Sequence, residues 1–223
     1  MTYKPLALPD RVQLSPDDAV TASADYLSYM KKRHSVRDYA SDPVPQSVIE
    51  NIIATAGSAP SGANRQPWHF VAISDPAMKQ KIRDAAEEEE KSFYDGGAGD
   101  EWLSALEPIG TGVNKPHLTD APWLIVVFAE RYGLNPDGSR YKNYYINESV
   151  GIALGFLISA IHHAGLVCLE HTPNPMKFLN ELCNRPINEK PVMVIPVGYP
   201  AADATIPAAA KQKKPLTQIS SFF

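Results

Sequence analysis

The run S-A-P-S-G-A-N-R-Q-P-W at residues 58–68 joins a stretch with helical apolar spacing to one that reads as a buried strand. Its prolines, its glycine and its small side chains let backbone approach a ligand closely without entering either element. The same composition would serve a plain helix-to-strand connector. What lies on either side of the run decides between the two.

Immediately before it, Val48, Ile49, Ile52, Ile53 and Ala56 recur at helical intervals and predict a helix over 45–56 with one face in the core. Immediately after it, W-H-F-V-A-I-S at 68–74 predicts a strand, and Asp75 with Pro76 predicts the capped start of a helix reaching Glu90 or beyond. Further out, Ser15, Pro16, Asp17 and Asp18 mark another helix start, preceded by an extended arm at 1–14. That helix gives out in Lys31, Lys32, Arg33, His34, Ser35, Val36 and Arg37. Lysines there complement the helix dipole, whereas Arg33 and Arg37 with Ser35 between them also suit an anion cradle.

Residues 95–119 hold five glycines and two prolines with no sustained period, which predicts a long loop of the kind that forms lids. Order returns with a strand at 122–129, a turn at Asn135-Pro136-Asp137-Gly138, and a helix over 143–164 that is apolar nearly all round. Such a helix needs a core on one side and a core or a subunit partner on the other, and its small residues allow close approach. A strand at 167–170, a short helix at 175–182, a strand at 191–198 and a tail at 199–223 complete the chain. Alternating strands and helices predict an α+β architecture with helices layered on a central sheet, in one domain spanning 15–223.

Composition narrows the function. With 223 residues, 44% of them hydrophobic, the chain can fill one substantial core. Its 21 basic and 25 acidic residues leave a net charge of −4, which offers nucleic acid or an anionic membrane no attraction. No run reaches the roughly 20 apolar residues of a membrane helix and no leader is recognisable, so a soluble, cytoplasmic protein is expected. Cys168 and Cys183 lack metal-ligand spacing and read as reduced packing residues, and His117, His162 and His163 read as packing or surface rather than metal ligands. Ser61 lacks the G-x-S-x-G elbow of a hydrolase, and neither common phosphate-binding glycine motif is present.

Taken together, R-H-S-V-R at 33–37, A-P-S-G-A-N-R-Q-P-W at 59–68, P-V-G-Y-P at 196–200 and K-K-P-L at 213–216 resemble the FMN-dependent nitroreductase superfamily. Within it the chain is similar to the iodotyrosine deiodinase (halotyrosine dehalogenase) branch, through E-E-E-E-K-S-F-Y at 87–94, Lys115 in N-K-P-H-L, and H-T-P at 171–173. The resemblance covers roughly residues 26–219. It implies an intertwined homodimer with an extended C-terminal tail and FMN at each subunit interface.

By the same resemblance, Arg33, His34, Ser35, Val36 and Arg37 hold the FMN phosphate, ribityl chain and pyrimidine edge. Pro60 and Ser61 line the flavin, and Ala63 lies close to flavin and substrate. Glu170, His171 and Thr172 run past the ring, with the Thr172 hydroxyl at flavin N5 as the catalytic contact that steers reduction into single-electron steps. Lys213 matches a basic residue that reaches the phosphate, where the family usually has arginine with its forked donors. Glu90, Tyr94 and Lys115 bind the substrate zwitterion under a lid at about 92–119.

This triplet also has independent logic, because an amino acid zwitterion needs a carboxylate for its ammonium and a cation for its carboxylate. The implied activity is reductive dehalogenation of 3-iodotyrosine and related halotyrosines, with NAD(P)H or a reductase partner as electron source. A broad NAD(P)H-dependent nitroreductase or flavin reductase, and a non-catalytic flavin-binding dimer, are the rival readings.

Overall fold

The computed structural model describes residues 3–8, 11–97 and 99–223. Two compact units divide the chain between Arg33 and His34. In the first, helix α1 (Pro16–Met30) starts as its sequence dictates: the Ser15 hydroxyl accepts from the Asp18 amide at 3.2 Å, and Pro16 opens the first turn.

The second unit carries helices α2 (Gln46–Gly57), α3 (Pro76–Ser92), α4 (Asp100–Leu106), α5 (His117–Asp120), α6 (Ile146–His163), α7 (Phe178–Leu182) and α8 (Leu216–Ile219). Its strands are β1 (Trp68–Ile73), β2 (Trp123–Glu130), β3 (Tyr132–Leu134), β4 (Arg140–Lys142), β5 (Val167–Cys168) and β6 (Glu189–Gly198). The main sheet has the order β1-β2-β6-β5, with every neighbour antiparallel, and β3 pairs with β4 as a separate hairpin around the turn expected at 135–138.

Strand β2 shows why the sheet is covered twice. Leu124, Val126 and Phe128 point to one face and join Ile73, Val194 and the helix residues Ile82, Ala86, Leu118 and Leu179. Ile125, Val127 and Ala129 point to the other and join Ile195, Val197 and the α2 and α6 residues Ile49, Ile52, Val150 and Leu157. A strand apolar at every position is buried on both sides even in an antiparallel sheet. The α2 stripe packs as its spacing predicts, with Ile49, Ile52 and Ala56 buried and Val48 and Ile53 against them.

The largest departure from the sequence reading lies at 95–119. The expected loop is largely helical: a wide turn at Phe93–Gly97, then α4, a further turn at Glu107–Ile109 and α5. Glycines at the joints interrupt any period long enough to read, although Trp102, Leu106 and Ile109 do keep helical intervals. The strand expected at 167–170 regularises only over β5, and the helix expected at 175–182 only over α7.

Two segments extend the sheet next to β5. Ser35 bridges Cys168 in parallel, and the Val36 amide donates to the Cys168 carbonyl at 3.0 Å. His171 and Val194 exchange amide bonds at 3.0 and 2.8 Å, so the chain beyond β5 stays strand-like beside β6. The tail begins alongside residues 38–40, with the Ala40 amide donating to the Tyr199 carbonyl at 2.9 Å, and its turn at Ala208–Lys211 lies against the turn at Glu107–Ile109.

Candidate active site

A cavity of about 430 Å³ opens where the segment after β5 meets the 93–115 excursion. It gathers residues far apart in sequence: Arg37 from the edge segment, Glu90 and Tyr94 from the end of α3 and the turn after it, Lys115, and Glu170, His171 and Thr172. Trp102, Leu106, Ile109 and Met176 supply an apolar part of its lining. A wall of this kind, apolar with a few convergent charges, is the usual form of a small-molecule site.

Lys115 is the least expected of these. A lysine in a glycine-rich stretch would ordinarily face solvent, yet this one is 3% exposed, with its ammonium 3.1 Å from the Glu90 carboxylate. Burial lowers its pKa, and Glu90 pulls it part of the way back. Its ammonium also reaches the Thr111 hydroxyl at 3.3 Å. One buried cation and one nearly buried anion thus stand side by side at the cavity wall.

The sequence presents His117 as a packing histidine and His171 as a cofactor contact; the fold sets them edge to face, 5.3 Å apart, both buried on the cavity wall. Burial, then Lys115 and Arg37, push His117 down to about 4, and burial, then His117, Lys115 and Arg37, push His171 down to about 3. Both are therefore neutral near pH 7. The Nε2 atom of each is buried without a hydrogen-bond partner among the described residues. The sequence gives no sign of this pair, because its members sit 54 positions apart and meet only through the pairing of His171 with Val194.

Other expected residues are not among those that line the cavity. The Ser35 hydroxyl donates to Glu170 Oε2 at 2.5 Å, so its proton is engaged by that carboxylate and its lone pairs stay available. Val36 is buried, His34 half-buried, and Lys213 exposed in the tail. Arg33 belongs to the first unit.

Residues 58–68 do not line the cavity. They dock instead on the start of α6, where the Gly62 amide donates to the Ser149 hydroxyl at 3.2 Å and Ser149 donates to the Tyr145 carbonyl at 2.6 Å. A Cβ on Gly62 would stand 2.5 Å from the Tyr144 carbonyl oxygen, which explains the glycine of P-S-G. Ala63, Asn64 and Gln66 all have φ near +50°, an unfavourable region for side chains with a Cβ. The Ser61 hydroxyl accepts from the Gln66 amide at 2.9 Å and helps to hold this shape, which leaves Pro60 and Ala63 exposed.

Among the described residues no group of three histidine, cysteine or carboxylate side chains could hold a metal, and no helix is long and apolar enough to cross a membrane. Cys168 is buried and Cys183 half-buried, and neither forms a disulfide among the described residues.

Comparison with known proteins places the chain among described families and folds. Residues 30–199 match the Nitroreductase family. The chain is 50% identical over 215 residues to an iodotyrosine deiodinase of Haliscomenobacter hydrossis, a match covering 96% of this chain and 97% of the relative. It is 42% identical to iodotyrosine deiodinase 1 of Homo sapiens, over 91% of this chain and 70% of that one. Among solved structures, an oxidised iodotyrosine deiodinase bound to FMN and 3-iodo-L-tyrosine superposes with a TM-score of 0.73 at 30% identity, covering 88% of this chain and 99% of the other.

Proposed function

The chain belongs to the nitroreductase family, and from that premise we propose that it is an FMN-dependent oxidoreductase that reductively dehalogenates 3-iodotyrosine and related halotyrosines, releasing halide and tyrosine. The observation that carries this reading is the convergence of Glu90, Tyr94 and Lys115 on the same cavity as Arg37, Glu170, His171 and Thr172. A broad nitroreductase would have no need of a buried carboxylate and ammonium poised for a zwitterion.

The residues present fit the cofactor. Arg37 and the exposed Thr172 hydroxyl share the cavity wall, and the 34–37 segment is bridged to β5, whose continuation carries Glu170 to Thr172. Arg33, His34, Ser35, Val36 and Arg37, with Lys213 from the tail, would hold the phosphate, ribityl chain and pyrimidine edge of FMN, and Thr172 would donate at N5. Bound there, reduced FMN supplies the two electrons that no side chain carries. In the net reaction the carbon–halogen bond breaks, the ring carbon gains a proton and two electrons, and halide departs.

The chain's own work is placement. Glu90 and Tyr94 receive the substrate ammonium and Lys115 its carboxylate, replacing one internal ion pair with two. Trp102, Leu106 and Ile109 exclude water over the ring, so that the site is completed by the ligand.

Pro60, Ser61 and Ala63 would reach this site from a second subunit. Two features support a homodimer with a shared site: the exposed Pro60 and Ala63 of the 58–68 loop do not line their own chain's cavity, and α6 leaves Ile152 and Phe156 about 40% exposed beside Gly151 and Gly155. We place the enzyme in the cytoplasm, drawing electrons from NAD(P)H or a reductase.

The test is halide release. Purified protein loaded with FMN and reduced by dithionite will convert 3-iodotyrosine to tyrosine and iodide in equal amounts. Reduction of nitroaromatics without any halide release would identify a broad nitroreductase, and inertness toward both would identify a flavin-binding dimer.

A further inference from the structure

Helix α3 carries Lys79, Arg83, Glu87 and Glu90 at intervals that return to one side of a helix. Each of them grips the segment 115–121. The nearly buried Lys79 ammonium donates to the Thr119 and Ala121 carbonyls at 3.1 and 2.7 Å, at the C-terminal end of α5 where a cation is favoured. Arg83 donates to the Thr119 hydroxyl at 2.9 Å and to Glu87 at 2.7 Å. Glu87 accepts the Lys115 backbone amide at 2.7 Å, and Glu90 holds the Lys115 ammonium at 3.1 Å.

Lys115 is therefore held twice by one helix, through its backbone by Glu87 and through its side chain by Glu90. Glu87 does not line the cavity. We propose that Glu87, oriented by Arg83, is a positioning residue for halotyrosine binding: by fixing the Lys115 amide it sets the point from which the Lys115 ammonium reaches Glu90 and the ligand carboxylate. The inference rests on the dehalogenase reading, in which Lys115 binds substrate.

The chemistry favours a carboxylate for this task. A lysine side chain has four rotatable carbons and no fixed fork, so its ammonium is only as well placed as its backbone. The Lys115 amide lies two residues before a helix of four residues, in a stretch with glycines close upstream, and Glu87 supplies its acceptor. Burial alone would raise the Glu87 pKa, but the Lys115 amide and then the Arg83 guanidinium outweigh it and hold the carboxyl below its usual range. The acceptor stays ionised at any pH where the protein would be assayed.

The test compares wild type with Glu87→Ala, Glu87→Met and Glu87→Gln in the FMN-loaded protein. Three readouts are followed: affinity for 3-iodotyrosine by quenching of flavin fluorescence, FMN affinity, and hydrogen exchange at the Lys115 amide. Glu87→Ala is expected to weaken 3-iodotyrosine binding about tenfold or more, the scale of one lost hydrogen bond to a charged group, and to speed Lys115 exchange by a similar factor. FMN affinity and exchange within β2 stay as in wild type, which a general loss of structure would not allow. Glu87→Gln, which keeps an acceptor, recovers part of the loss.

If Glu87→Ala does not fold, Glu87→Met, of similar length and without an acceptor, provides the same test. Unchanged 3-iodotyrosine affinity and unchanged Lys115 exchange in either variant overturn the proposal. Failure of the wild type to bind 3-iodotyrosine overturns the dehalogenase reading instead, and the exchange measurement still decides whether Glu87 fixes the Lys115 backbone.

Discussion

The loop at 58–68 and the segment at 115–121 are both irregular stretches rich in small or turn-forming residues, yet they are held by opposite means. The loop is fixed through its backbone: Gly62 lies against the Tyr144 carbonyl, Ser149 and Ser61 take its amides, and three side-chain-bearing residues sit at positive φ. The second segment is fixed through charge, by four ionic side chains of α3 with Lys115 buried among them. Backbone-held loops present a rigid, generic surface, whereas a charge-held segment can exchange its internal partners for those of a ligand. In the proposed enzyme the first makes a flavin wall and the second selects the substrate.

The largest effect should follow from breaking the charged segment at its centre. Lys115→Ala leaves Glu90 without its cation in a largely buried place, and is expected to weaken halotyrosine binding by about 100-fold or more. Titration of flavin fluorescence with 3-iodotyrosine measures it, and FMN content should be retained. A change below about threefold would mean that the buried pair is structural only.

Acid probes the same region through its histidines. His117 and His171 have folded pKa values of about 4 and about 3, depressed from an ordinary value near 6.5. Between those limits the unfolded chain binds more protons than the folded one, so stability is full above about pH 6.5 and is lost as pH falls toward 4. From pH 7 to pH 5 the loss should be about 2 kcal/mol per histidine, read from urea unfolding, and replacing both by glutamine should flatten the dependence.

The loop is tested by Gly62→Ala, whose Cβ would meet the Tyr144 carbonyl oxygen at 2.5 Å. Unfolding should be easier by about 2 kcal/mol, since the obstacle is backbone and cannot rotate away. If Gly62→Ala is neutral in urea unfolding, the loop is not held as described. The smallest change expected is in partition between reactions. Thr172→Ala should shift the ratio of halide release to nitroaromatic reduction about tenfold toward the latter, in line with one hydrogen bond to the cofactor. An unchanged ratio would remove Thr172 from the catalytic contact.

The contrast also marks what can be read from sequence. The caps of α1 and α3, the α2 stripe and the doubly buried β2 are local patterns, and periodicity finds them. Glu90, Tyr94 and Lys115 can be grouped only through resemblance, because a glutamate run on a helix and a lysine in a loop are ordinarily solvated. Lys115 is buried because Glu87 and Glu90 meet it from 28 and 25 positions away. The 93–115 helices are hidden in the sequence because glycines divide them into pieces shorter than the window in which a helical period can be recognised. Trp102, Leu106 and Ile109 are the legible remnant. The histidine pair depends on the register of His171 against Val194, which no spacing reveals.

Recognition of both charges of an amino acid by Glu90 and Lys115 is the central claim, and the most direct test compares two halophenols of equal ring chemistry. Flavin fluorescence of the FMN-loaded protein is titrated with 3-iodotyrosine and with 2-iodophenol. Binding of 3-iodotyrosine is predicted to be at least about 100-fold tighter, the combined scale of two charge-assisted contacts. Equal affinities would contradict the claim.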